Sequence, residues 1–99
     1  MILYNITVAV DDAIHDEWLE WMTQEHIPEV MATNKFMRWK MYKVLLDKED
    51  GVTYSIQYFA ENMADLQLYQ ALHANDLQAR QQEKFSDQAL AFSTILEEV

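Results

Sequence analysis

The chain has no cysteine, one glycine and one proline in 99 residues, and only 7 Lys and Arg against 17 Asp and Glu. Without cysteine there is no disulfide, no thiolate nucleophile and no zinc-thiolate site. A single glycine leaves no glycine-rich loop to cradle phosphates, and no serine stands in a nucleophile elbow. The formal net charge of −10 disfavours nucleic acid, because affinity for phosphates comes from clustered bases that displace counterions. No apolar run is long enough to span a bilayer, and Met1-Ile2-Leu3-Tyr4 enters a strand pattern with no basic leader or cleavage site before it. The expectation is a cytoplasmic protein with no membrane and no nucleic-acid partner. Half of the residues are hydrophobic (51%), enough for one compact domain over residues 1–99 that buries about two-thirds of its unfolded surface.

What the chain does contain reads as one unit twice: strand, acid-capped helix, strand. Met1 to Val10 alternates, with Ile2, Tyr4, Ile6, Val8 and Val10 on one face and Leu3, Asn5, Thr7 and Ala9 on the other. Asp11 or Asp12 is placed to cap a helix reaching about Thr33, with Asp16 and Glu17 in its first turn. Pro28 predicts a kink or break near Glu25 to Ile27, and Asn34 a left-handed C-cap. Phe36 to Asp47 reads as strand two, Lys48-Glu49-Asp50-Gly51 as a turn, and Val52 to Ala60 as strand three. Asn62, with Asp65 three residues on, opens a second helix in the manner of a capping box. That helix carries Leu66, Tyr69, Leu72, His73, Leu77 and Arg80 along one side and ends near Phe85-Ser86-Asp87. Gln88 to Val99 completes the pattern, with Leu90, Phe92, Thr94 and Leu96 alternating against Ala91, Ser93, Ile95 and Glu97. This order predicts an α+β, ferredoxin-like βαββαβ domain with a four-stranded antiparallel sheet and both helices on one face.

The other face must meet something. If the bulky residues lie under the helices, Leu3, Ala9, Phe59, Ala91 and Ile95 remain outside, among Asn5, Thr7, Ser55, Gln57 and Ser93. Such a face is too apolar for water, and a homodimer packed sheet on sheet is expected, with Asn5, Thr7, Ser55 and Gln57 in the interface. It also lacks the paired central aromatics of an RNA recognition motif. Lys35, Arg38, Lys40, Lys43 and Lys48 gather in or beside strand two. They suit an edge strand that resists uncontrolled pairing, or a basic edge facing an acidic helix of a second copy or an anionic ligand.

The densest cluster of distinctive side chains runs from Trp18 to Glu29. Trp18, Met22 and His26 lie four apart and so share a helix face. They read either as a core stripe, with His26 satisfying carbonyls freed by Pro28, or as the wall of a ligand pocket between helix and sheet, completed by Tyr4 and Tyr58. In the second reading His26 is the best catalytic candidate, as a general base or hydrogen-bond donor near neutral pH. Glu25, His26 and Glu29 invite a divalent ion, but Pro28 disturbs the helix between them and no second cluster appears, so no metal and no cofactor is expected. His15 reads as solvated or capping, and His73 as a core or pocket residue. Arg80 and Lys84 read as partners for helix acids or for an anionic ligand.

The runs Ile2-Leu3-Tyr4-Asn5-Ile6-Thr7-Val8, Trp18, Trp21-Met22, His26 through Thr33, Tyr54-Ser55-Ile56-Gln57-Tyr58 and Lys84-Phe85 together resemble an uncharacterised bacterial family catalogued as a domain of unknown function. In layout that family is similar to the dimeric α/β-barrel superfamily. The resemblance covers nearly the whole chain and departs from it at Asn34 and Ser86, where glycine is expected. It implies a dimer and the ferredoxin-like fold, and a histidine near the end of the first helix, here His26, that contributes to a pocket. It selects no activity, since the superfamily holds cofactor-free monooxygenases, small isomerases, haem-processing enzymes and non-catalytic members. The expectation is a homodimeric barrel that binds, and in one form transforms, a small apolar or aromatic molecule. The alternatives are a dimeric interaction or sensing module with a filled core, and a cofactor-free small monooxygenase or isomerase.

Overall fold

The computed structural model describes residues 1–45 and 50–99. Strand β1 (Ile2–Val10) pairs with β3 (Val52–Ala60) on one side and with β4 (Ala89–Glu97) on the other, and β2 (Arg38–Val44) lies outside β3. All pairings are antiparallel, in the order β2-β3-β1-β4. Two helical runs connect the halves: α1 over residues 15–31 and α2 over residues 63–85. This is the ferredoxin-like arrangement that the repeated strand-helix-strand pattern predicts. Ile2, Tyr4, Val8 and Val10 of β1, with Tyr54, Ile56 and Tyr58 of β3, are buried against Trp18, Met22, Ile27 and Val30 of α1 and Leu66, Tyr69 and Leu77 of α2. Observed β2 is shorter than the Phe36–Asp47 run; Leu46, Asp47 and the turn residues Lys48 and Glu49 lie outside the described residues.

Each helix changes pitch once, at a place the 3.6-residue period does not foresee. In α1 the segments His15–Trp21 and Ile27–Met31 are α-helical, and Met22–His26 between them is a π turn. Pro28 has no amide to give the Gln24 carbonyl four residues back, and the wider turn sits just before it. A π turn adds a residue, so burial skips from Trp18 and Met22 to Ile27 and Val30. The expected stripe of positions 18, 22 and 26 is therefore broken after Met22, and His26 is rotated from the middle of the core to its edge. The same device recurs in α2, where Gln70–Ala74 is a π turn between Met63–Tyr69 and Asn75–Phe85. Buried positions skip from Tyr69 to Ala74, and Leu72, expected on the apolar side, is 62% exposed. No proline lies in that helix.

The helix ends show which local signals were decisive. The Asn62 side chain accepts the Asp65 amide (2.9 Å), as its spacing predicts. Neither Asp11 nor Asp12 caps α1: Asp12 instead accepts the Gly51 amide across the sheet end (3.0 Å), tying the start of α1 to the β2–β3 connection. Gly51 has φ 76°, and among the described residues the two non-glycine residues with positive φ are Asn34 (62°) and Ser86 (53°). These are the two positions at which glycine was expected. Asn tolerates the left-handed region, but Ser86, with ψ −134°, occupies the conformation that glycine supplies at the first central position of a type II′ turn. Such strain costs about 1–3 kcal/mol, and glycine gives back about 0.5–1 kcal/mol in unfolded-state entropy. Ser86→Gly is therefore expected to stabilise the domain by about 1 kcal/mol, read as a rise of roughly 4 °C or more in thermal midpoint; an unchanged or lower midpoint contradicts the strain.

The sheet face opposite the helices differs from its expected composition in one strand. The β1–β4 register pairs Val8 with Ala91, Ile6 with Ser93 and Tyr4 with Ile95, so the small residues of β4 face the helices. Leu90, Phe92, Thr94 and Leu96 share the outer side with Leu3, Asn5, Thr7 and Ala9, the reverse of the assignment that puts every bulky residue inward. Asn5, Thr7, Ser55 and Gln57 do lie on this outer face. The Ser55 hydroxyl donates to Asn5 Oδ1 (2.6 Å), and Asn5 Nδ2 donates to Thr7 Oγ1 (3.2 Å).

Candidate functional site

The inward-facing small residues of β4 leave space. Ala89, Ala91 and Ser93 stand opposite the Asn75–Phe85 segment of α2, and between the sheet and the helices there lies a cavity of about 540 Å³, within the usual size of a small-molecule site. Its sheet side is formed by Tyr4, Ile6, Val8, Ile56 and Tyr58, and its helix side includes Met22, His26, Val30 and Tyr69. Of the residues expected in a pocket, Tyr4, Met22, His26 and Tyr58 thus line one cavity. Trp18 does not: it is fully buried, packs on the Tyr54 ring at 5.2 Å, and keeps its indole Nε1–H without a hydrogen-bond partner.

Aromatic packing sets the floor. Phe36, ahead of β2, lies 6.2 Å from Tyr4, 5.2 Å from Tyr58 and 4.8 Å from Tyr69 between ring centroids, which holds three phenols around one wall. Burial raises the Tyr4 pKa, opposed in part by hydrogen bonding with the Ser93 and Gln78 side chains; Gln78 Nε2 donates to Tyr4 Oη at 3.4 Å. Burial, and then the neighbouring phenols, push Tyr58 and Tyr69 further above the ordinary value. All three therefore stay protonated at neutral pH and can donate or accept hydrogen bonds.

His26 sits where the π turn meets this cavity. Its ring stacks on Trp21 (4.8 Å, 29° between planes), and Trp21 in turn meets the edge of Phe85 (5.4 Å). Its Nδ1 is buried with no hydrogen-bond partner. Burial lowers its pKa from 6.5 to about 4, with Glu29 opposing and Arg80 reinforcing the shift. A base suited to neutral pH was the expectation; an uncharged imidazole of low basicity is what the site holds. It can exchange hydrogen bonds with a ligand, and among the described residues no carboxylate is hydrogen-bonded to it to mark a proton relay.

The remaining candidates fall elsewhere. His15 is half-buried rather than solvated, bonded through Nε2 to Tyr54 Oη (2.6 Å) and through Nδ1 to Asp16 (3.1 Å) at the corner of β3 and α1. His73 borders a second, smaller cleft with Glu29, Asp76 and Arg80. Arg80 pairs with Glu29 and Lys84 with Glu17 (3.8 Å), joining the two helices at exposed sites, where such pairs add little. Among the described residues no three His, Asp or Glu gather as metal ligands. Among them, too, no helix is long and apolar enough to cross a membrane.

Several cavity residues were not foreseen. Tyr69 read only as an apolar helix position, and Ala89, Ala91 and Ser93 as one side of a strand. The one available signal was the carboxamide stripe Asn75, Gln78, Gln81 and Gln82, spaced three, three and one along α2 on a single side of the helix.

Similar backbones are known. HapK from Hahella chejuensis superposes with a TM-score of 0.71 at 14% identity, over 100% of this chain and 93% of that one. A dimeric ferredoxin-like protein from an uncultured marine organism gives 0.70 at 11%, over 100% and 95%. An "ethyl tert-butyl ether d (ethd) family protein" from Bacillus halodurans c-125 gives 0.64 at 17%, over the whole of both chains. At such identities the likeness is one of fold. No curated protein matches this chain. The model of one family, Domain of unknown function (DUF4286), matches residues 1–99, and the chain belongs to that family.

Proposed function

We propose that two copies of this chain pair through their outer sheet faces as a dimeric α/β barrel, and that the cavity under each pair of helices binds a small apolar or aromatic molecule. The observation that carries the reading is the cavity itself: about 540 Å³, walled on the sheet side by aliphatic and aromatic groups, with phenols, carboxamides and the His26 ring converging on it as hydrogen-bonding groups. Dimer formation is supported by the outer face, where Leu90, Phe92 and Leu96 are exposed beside the Asn5–Ser55 hydrogen bond, and by the dimeric ferredoxin-like protein of the same fold.

Neutral N-phenyl-1-naphthylamine, which fluoresces on leaving water, is a suitable probe. It is expected to bind with one site per subunit. Ala91→Phe, which fills the cavity from β4, should weaken binding at least about tenfold while circular dichroism and thermal midpoint remain close to wild type. Saturable binding that survives Ala91→Phe, or no binding to wild type, would remove this reading and leave the interaction module.

A further inference from the structure

The cavity wall is unusual for so acidic a chain. Of its 99 residues 24 are Asp, Glu, Lys or Arg, yet among the described residues none of these lines the cavity. The polar lining consists of phenols, carboxamides, the Ser93 hydroxyl and His26. Arg80 and Lys84, the two cations on the adjoining stretch of α2, are paired with Glu29 and Glu17, and Arg80 and Glu29 line the other cleft. Resting on the binding reading above, we infer that the site is selective for uncharged ligands: an aromatic or alicyclic body seated on the Tyr4–Tyr58–Tyr69 floor, and hydroxyl, carbonyl or amide groups meeting Gln78 and Gln82 at the helix side.

Three physical consequences support this. An anion entering the cavity leaves water and meets no cation, and a charge transferred without a partner is strongly disfavoured. His26 supplies no compensation, since it is neutral at physiological pH. A cation would need a carboxylate, and the described wall has none, although the net charge of −10 would draw cations toward the surface as a whole. Neutral carboxamides and phenols donate and accept equally well, so a ligand's own oxygen and nitrogen groups can be matched without any ion.

The test compares two probes of one skeleton. N-phenyl-1-naphthylamine and 8-anilinonaphthalene-1-sulfonate differ by the anionic sulfonate, and only the fluorescence lost in Ala91→Phe counts as binding in the cavity. The neutral probe is expected to bind at least about 30-fold more tightly. That ratio should persist at about 0.5 M NaCl, which screens long-range repulsion but does not pair a desolvated charge. Gln82→Arg, at an exposed position on the cavity wall, should narrow the ratio at least tenfold by giving the sulfonate a partner. Equal affinities in wild type, a ratio that disappears with salt, or no response to Gln82→Arg would overturn the selectivity while leaving the binding site in place. Failure of the neutral probe to bind would remove both.

Discussion

Replacing Phe92 with Glu is expected to convert the proposed dimer to monomer, raising its dissociation constant by at least about 1,000-fold. Phe92 is 64% exposed in a single subunit and lies on the outer face beside Thr7, so the substitution removes little from the subunit's own core. Covering the exposed part of a phenylalanine, roughly 100 Å² of its 150–250 Å², contributes about 2.5 kcal/mol at 25 cal/mol/Å². A two-fold interface contains the residue twice, giving about 5 kcal/mol before any cost of burying the new carboxylates is added. Light scattering across a dilution series reads the result directly. A wild type that is monomeric at every concentration, or a variant that stays dimeric, would dismiss sheet-on-sheet pairing.

The second large effect concerns acid. His26 titrates at about 4 in the folded chain, against 6.5 when exposed. Between these values the unfolded chain binds a proton that the folded chain refuses, so stability rises with pH across this window and is lost as pH falls through it. Above 6.5 both states are neutral, and below about 4 both are charged, so the slope vanishes on either side. Two and a half pH units at about 1.4 kcal/mol each set an upper figure of about 3.5 kcal/mol. Glu29, Arg80 and the Trp21 ring are the groups that face the imidazole. Urea unfolding at pH 4.5 and 7 should show wild type losing about 2–3 kcal/mol more on acidification than His26→Gln. Equal losses would mean that the imidazole is hydrated in the folded protein.

His26 also shows where sequence periodicity misleads. Counting four residues from Trp18 to Met22 to His26 assumes an uninterrupted α-helix, and Pro28 was visible as a disturbance. What could not be seen is that the disturbance takes the form of a π turn, which inserts a residue and rotates everything after it. Leu72 was displaced by the same cause in α2, where no proline gave warning. By contrast β3 and the Asn62 cap appear as their residues foretell, because a two-residue alternation and an i,i+3 cap depend only on neighbours in the chain.

The strand-helix-strand order, the ferredoxin-like sheet, the turn geometry at Asn34 and Gly51 and four residues of the cavity were all contained in the amino-acid sequence, since local propensity and apolar alternation act over a few residues. Tertiary structure alone decided that β4 turns Ala89, Ala91 and Ser93 inward, that space is left there, and that no charged residue of the described chain faces it. The reason is register. An edge strand with apolar residues on both sides has no preferred face until its hydrogen bonds to β1 are made, and that pairing joins residues 79 to 95 positions apart.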